Sequence, residues 1–232
     1  MPRQFRLPLT APPCWDRESF ASSPTNLEAL EGLDAWPAWP DGRMALVGPA
    51  GTGKSHLARD WAARTGAVTI EAASTGNKPL DLAALRGRPL LVEDADRRSE
   101  GDLVDDETLF HLINMAGVDG GSLLLTGRLA PVAWEAAVPD LRSRLNALTV
   151  ARVMEPDDIV LEAVLRRAFE AAGIRPAGDL YPYLMARLPR SAAEVLAAVA
   201  ALDEASIEQG REVNKALALS VLDFGGDDDG ED

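Results

Sequence analysis

Two hydrophobic rhythms divide the chain near residue 155. Before it, short apolar runs alternate with longer segments whose apolar positions recur every three or four residues. RMALVG, AVTIEAA, LLVEDAD, SLLLTG and NALTVARV read as strands. KSHLARDWAARTG reads as a helix with Leu57, Ala58, Trp61 and Ala62 on one face and Gly66 as its stop, and LFHLINMAG as another helix. Strands alternating with helices predict an α/β fold with a parallel sheet covered on both faces. From Glu155 the strand rhythm is lost. DDIVLEAVLRRAFEAAG, DLYPYLMARL, SAAEVLAAVAALDEASIEQG and EVNKALALSVL are successive helical segments separated by glycine or proline, which predicts a small helical lid.

The ends of the chain follow neither rhythm. Residues 1–40 are rich in proline and tryptophan with little periodicity, and read as an extended arm and a packed linker. GGDDDGED at the other end has no apolar residue and reads as a disordered acidic tail. The expected organisation is therefore an arm and linker (1–40), an α/β domain (41–154), a helical lid (155–224) and a tail (225–232).

Composition narrows the function classes. A chain of 232 residues with 47% hydrophobic content can bury a substantial core. No apolar run approaches the roughly 20 residues that span a bilayer, and the amino terminus has no secretory-type apolar stretch, so the chain reads as cytosolic, with no membrane partner. A single cysteine, Cys14, forms no internal disulfide, and His56 and His111 have no zinc spacing. A net charge of -14 argues against broad electrostatic binding to DNA, which rests on cationic groups neutralising phosphates.

The most specific chemistry lies in GPAGTGKS, a complete phosphate-binding loop of the form GxxxxGK[ST]. Gly48, Gly51 and Gly53 allow the tight turn that presents backbone N–H groups to phosphate oxygens, with Pro49, Ala50 and Thr52 between them. Lys54 supplies a positive charge for the β- and γ-phosphates, Ser55 a hydroxyl for Mg2+, and His56 follows in the first helical turn. The helix that begins there aims its amino terminus at the phosphates. LLVEDAD supplies a second element: Leu90, Leu91 and Val92 bury a strand that delivers Glu93 and Asp94 to its carboxyl end, where ligands sit in open α/β sheets. One acid can hold Mg2+ and the next orient an attacking water. We assign Glu93 to the metal and Asp94 to the water, the pair being better defined than its order.

In order and spacing these segments resemble the AAA+ ATPases, and within them the DnaA family of replication initiators with its short regulatory relatives. The resemblance runs over nearly the whole chain. QFRLPL resembles the family's motif for the sliding clamp (the β subunit of DNA polymerase III), with Gln4, Phe5, Leu7, Pro8 and Leu9 as the contact residues. Gln4 can hydrogen-bond in a polar pocket while Phe5, Leu7 and Leu9 fill an apolar groove and Pro8 keeps the free arm extended. SFASSPTNLEAL resembles the linker that closes over the adenine, and ALDEAS a segment of the lid. LRSRLNALTV is similar to the box that contributes an arginine to a neighbouring subunit's nucleotide, which points to Arg144, with Arg142 as the alternative.

The resemblance implies an AAA+ P-loop core followed by a helical lid, ADP or ATP with Mg2+ as cofactor, Thr126 as the strand-end sensor of nucleotide, and DnaA and the clamp as partners. It further implies negative regulation of replication initiation, with Arg144 acting on ATP held by DnaA. A homo-oligomer stays open. Three positions depart from the family pattern: Glu194 stands where the lid arginine is usual, with Arg190 nearby; Thr126 is followed by Gly127 and Arg128 without the usual aspartate; and Glu93 replaces an aspartate. These departures bear on hydrolysis in cis more than on binding. An initiator would continue past the lid into a helix-turn-helix module, so recognition of origin sequences is not expected. Another AAA+ replication adaptor or helicase loader is the nearest alternative, and a small-molecule P-loop kinase a more distant one.

Overall fold

The computed structural model describes residues 17, 20–74, 80–100 and 102–222. Five strands, β1 (Arg43–Val47), β2 (Val68–Glu71), β3 (Pro89–Glu93), β4 (Ser122–Gly127) and β5 (Thr149–Arg152), form one sheet in the order β2-β3-β4-β1-β5, with every pairing parallel. Helices α1 (Leu27–Asp34), α2 (Lys54–Thr65), α3 (Leu82–Leu85), α4 (Asp106–Met115) and α5 (Pro139–Asn146) accompany the sheet. Helices α6 (Asp158–Ala171), α7 (Leu180–Met185), α8 (Ala192–Gln209) and α9 (Lys215–Val221) make up the lid. All five strands and the six helices foreseen from the hydrophobic rhythm are present.

The runs RMALV and SLLLTG are buried along their whole length, because successive residues of a central parallel strand enter different cores on the two faces of the sheet. Ala45, Val47, Leu90, Val92, Leu123 and Leu125 face one core, which α4 and α5 close with Leu109, Leu112, Ile113, Leu141 and Leu145. Met44, Leu46, Leu91 and Leu124 face the other, which α2 closes with Leu57, Ala58 and Trp61. Trp61 is fully buried, stacked on Trp39 at 5.3 Å and edge-on to Trp36 at 6.4 Å, so the tryptophans of the linker wall this second core. A buried aromatic of this kind stabilises by roughly 3–5 kcal/mol, judged by truncation to alanine.

The linker differs from the expectation in one respect: residues 27–34 are a helix whose Ala29, Leu30 and Leu33 belong to the second core. Between Pro24 and Pro37 the apolar spacing covers too few turns to stand out as periodic. Helices α3 and α5 also went unforeseen. The first is one turn capped by Asp81, which accepts from the N–H groups of Ala83 and Ala84. The second buries only Leu141 and Leu145 in an otherwise polar stretch.

The lid has its own core of Leu161, Leu165, Phe169, Leu180, Leu184, Val195, Val199, Leu202 and Leu217. Helices α6 and α9 start on side-chain caps: Asp157 accepts from the Val160 N–H at 3.0 Å and Asn214 from the Leu217 N–H at 3.0 Å. Gly210, at φ 62°, supplies the left-handed stop of α8. No helix among the described residues is long and apolar enough to cross a membrane.

Candidate nucleotide site

The loop from Gly48 to Gly53 leaves the carboxyl end of β1 and enters α2 at Lys54. The Gly48 N–H donates to the carbonyl of Gly127 at 3.2 Å, which ties the loop to the end of β4. A side chain on Gly48 would lie 2.1 Å from the Val153 carbonyl oxygen, and Gly51 and Gly53 stand at φ 74° and 93°, so these positions require glycine for space and for conformation. Lys54 is 7% exposed, and its Nζ donates to the Pro49 carbonyl at 2.7 Å. Burial lowers its pKa, while Asp94 and then Asp96 counter the shift and Arg128 adds to it. A buried ammonium folded onto a loop carbonyl, above a helix amino terminus, fits an anion that would take the carbonyl's place. The residues present therefore suit the phosphates of a nucleotide. Lys54 and the loop N–H groups would hold the phosphates, and the exposed Ser55 would face Mg2+.

The linker and the lid close on the loop from outside. Phe20 packs against His56 at 5.4 Å between ring centroids, and lies 3.0 Å from where a Cβ on Gly53 would stand. From the lid, the Ala192 N–H at the start of α8 donates to the Gly51 carbonyl at 3.0 Å, and a Cβ on Gly51 would lie 2.1 Å from Ser191 Oγ. Gly51→Ala is therefore expected to strain a left-handed residue by about 1–3 kcal/mol and to lift α8 from the loop. Faster hydrogen exchange at the Ala192 amide, with weaker ADP binding in calorimetry, would register both effects. Glu194 lies exposed in the first turn of α8, and Arg190 pairs with Asp158 at 2.8 Å.

Across the sheet, β3 and β4 place the acids. Asp94 follows β3 in left-handed backbone, φ 52°, and its N–H donates to the Thr126 hydroxyl at 3.0 Å. Thr126 is almost fully buried, so it joins the ends of the two strands and fixes the backbone of Asp94. Asp96 does the same one step on, accepting from the N–H groups of Arg128 and Leu129. Glu93 is buried and accepts from Arg59 Nε at 3.0 Å and Nη2 at 2.8 Å. A cleft of about 280 Å³ opens here beside Ser55, floored by Arg59, Glu71, Glu93 and Asp94.

The loop, Glu93, Asp94 and Thr126 thus come together, while Arg144 lies apart. It is exposed on α5, and its side chain makes no hydrogen bond or ion pair among the described residues. Arg142, two residues earlier, is held by the Val132 carbonyl at 3.0 Å. The clamp-type residues Gln4, Phe5, Leu7, Pro8 and Leu9 lie outside the described residues, as does the acidic tail. Sequence reading missed Arg59, Asp96 and Ser191. Arg59 carried a signal, standing one helical turn after Ser55 and hence on the same face of α2, and so did Ser191, which with Glu194 makes the S-x-x-E start of α8.

Sheet order, loop and lid together define the AAA+ P-loop NTPase architecture. Domain III of the replication initiation protein DnaA from Thermotoga maritima superposes with a TM-score of 0.74 at 18% identity, covering 90% of this chain and 95% of that one. A structure of the replication initiator DnaA bound to AMPPCP and single-stranded DNA is similar at TM-score 0.61 and 16% identity, over 87% of this chain and 70% of that chain. The RuvB Holliday junction branch migration motor of Thermotoga maritima is similar at TM-score 0.66 and 16% identity, over 89% and 70%. No protein-family profile and no curated protein sequence matches the chain.

Proposed function

We propose that the chain is a nucleotide-holding regulator of replication initiation that binds the sliding clamp and stimulates hydrolysis of ATP bound to DnaA, in the manner of Hda, the regulatory inactivator of that initiator. ADP or ATP with Mg2+ occupies the loop and orders lid and linker, which both touch it. Binding energy alone is enough for that role, because a ligand that binds one conformation shifts the equilibrium toward it. Arg144 is the group that acts outward: its guanidinium would stabilise charge developing on the γ-phosphoryl group of the partner's ATP. The observation that carries this reading is the contrast on α5, where Arg142 is held by a carbonyl of its own chain and Arg144 is presented to solvent.

Co-purification with the clamp and with DnaA, each without nucleotide, with ADP and with ATP, tests partner and ligand together. Binding to both, strengthened by nucleotide, is the expected result, and binding to neither would remove the reading. Within the same assay Gln4→Ala, or Leu7→Ala with Leu9→Ala, should abolish clamp capture without lowering the melting temperature. A variant that unfolds instead would place these residues in the core of the domain.

A further inference from the structure

Arg59 stands one turn beyond Ser55, and both hydrogen bonds to Glu93 converge on the same carboxylate oxygen. The Glu93 side chain is 8% exposed and that of Arg59 38%. The parallel register sets Glu71 beside Glu93, and Glu71, Glu93, Asp94 and Arg59 line one cleft, in which the Arg59 guanidinium pairs with Glu93. A buried carboxylate needs a countercharge, and arginine supplies one that does not deprotonate. Mg2+ at the same carboxylate would lie close to that fixed positive charge and would lose much of the attraction. Asp94 is differently placed. It is half-exposed, its backbone is fixed by Thr126, and its ion pair with Arg97 at 3.6 Å is solvated and readily exchanged.

We infer that Arg59 is the resident counter-ion of Glu93 and bars it from the metal, which leaves Asp94 as the acid that faces Mg2+ at Ser55. The inference rests on the Mg-nucleotide site proposed above and deepens it: Glu93 is a positioning residue, and a carboxylate already neutralised lends little charge to metal or water. Such a site holds nucleotide better than it turns it over.

The test begins with nucleotide-free protein melted in EDTA and in millimolar Mg2+. Arg59→Ala should melt about 5 °C below wild type in EDTA and recover with Mg2+, as the divalent cation takes the place of the guanidinium, while wild type responds to neither. A variant as stable as wild type in EDTA, or a loss that Mg2+ does not relieve, would overturn the inference. Manganese titration of the ADP complex, followed by electron paramagnetic resonance, gives an independent reading and decides the matter if Arg59→Ala does not fold. Asp94→Asn should weaken Mn2+ binding about tenfold or more, because it removes a full charge beside the ion, and Glu93→Gln less, because that charge is already paired with Arg59. The opposite order would return the metal to Glu93. Calorimetry of wild type with ADP is read separately: absent binding would remove the nucleotide reading, and the nucleotide-free melts would still decide the counter-ion.

Discussion

Arg144→Ala should retain nucleotide and clamp binding and lose stimulation of DnaA-bound ATP hydrolysis by about 10³-fold or more, the scale on which an arginine finger contributes in other nucleotide hydrolases. The loss falls on rate because charge develops on the transferred phosphoryl group only in the transition state, so a group aimed there leaves ground-state affinity nearly unchanged. Arg142→Ala should lose much less, since its guanidinium is spent on the Val132 carbonyl. Single-turnover rates with wild type and each variant, at one salt concentration, measure the contrast. Equal losses would make α5 a docking surface without a finger.

Lys54→Ala should weaken binding of Mg-nucleotide by about 100-fold, taking a charge-assisted contact with phosphate at roughly 3 kcal/mol. No other described cation lies on the loop, and the backbone N–H groups of the glycine turn cannot supply a full charge. Stability should respond in the other direction. In the nucleotide-free protein Lys54 is a buried ammonium whose pKa burial pushes down, so its charged form is less favourable folded than unfolded. Stability lost to this group is present below the lowered pKa and recovered as pH rises through it toward the ordinary lysine value, and the alanine variant should lack that rise. Calorimetric titration with ADP and melting curves against pH, on wild type and variant, test both halves. Unchanged nucleotide affinity would remove Lys54 from the phosphate site.

The strands and the loop were legible in the sequence for a physical reason. A strand buried on both faces is apolar along its middle, with polar residues confined to its ends, and a phosphate loop must have glycine where its backbone is left-handed, so RMALV and GPAGTG announce themselves. Elements stabilised by few residues were not legible. Helix α5 rests on Leu141 and Leu145, and the polar residues between them carry no periodic signal even though one of them is Arg144. The pairing of Arg59 with Glu93 was likewise hidden, because it joins residues 34 positions apart and depends on how α2 lies over β3. The acids were found by their strand. Which of them is neutralised could be read only from the packed structure.

The activity proposed for this chain is exerted on nucleotide held by a partner. Its most direct measurement is the rate of phosphate release from ATP preloaded on DnaA, with clamp-loaded DNA present and the wild-type chain added over a range of concentrations. Release should rise with the chain to a plateau and depend on the clamp. Release that stays at the rate of DnaA alone at saturating chain would contradict the proposed activity.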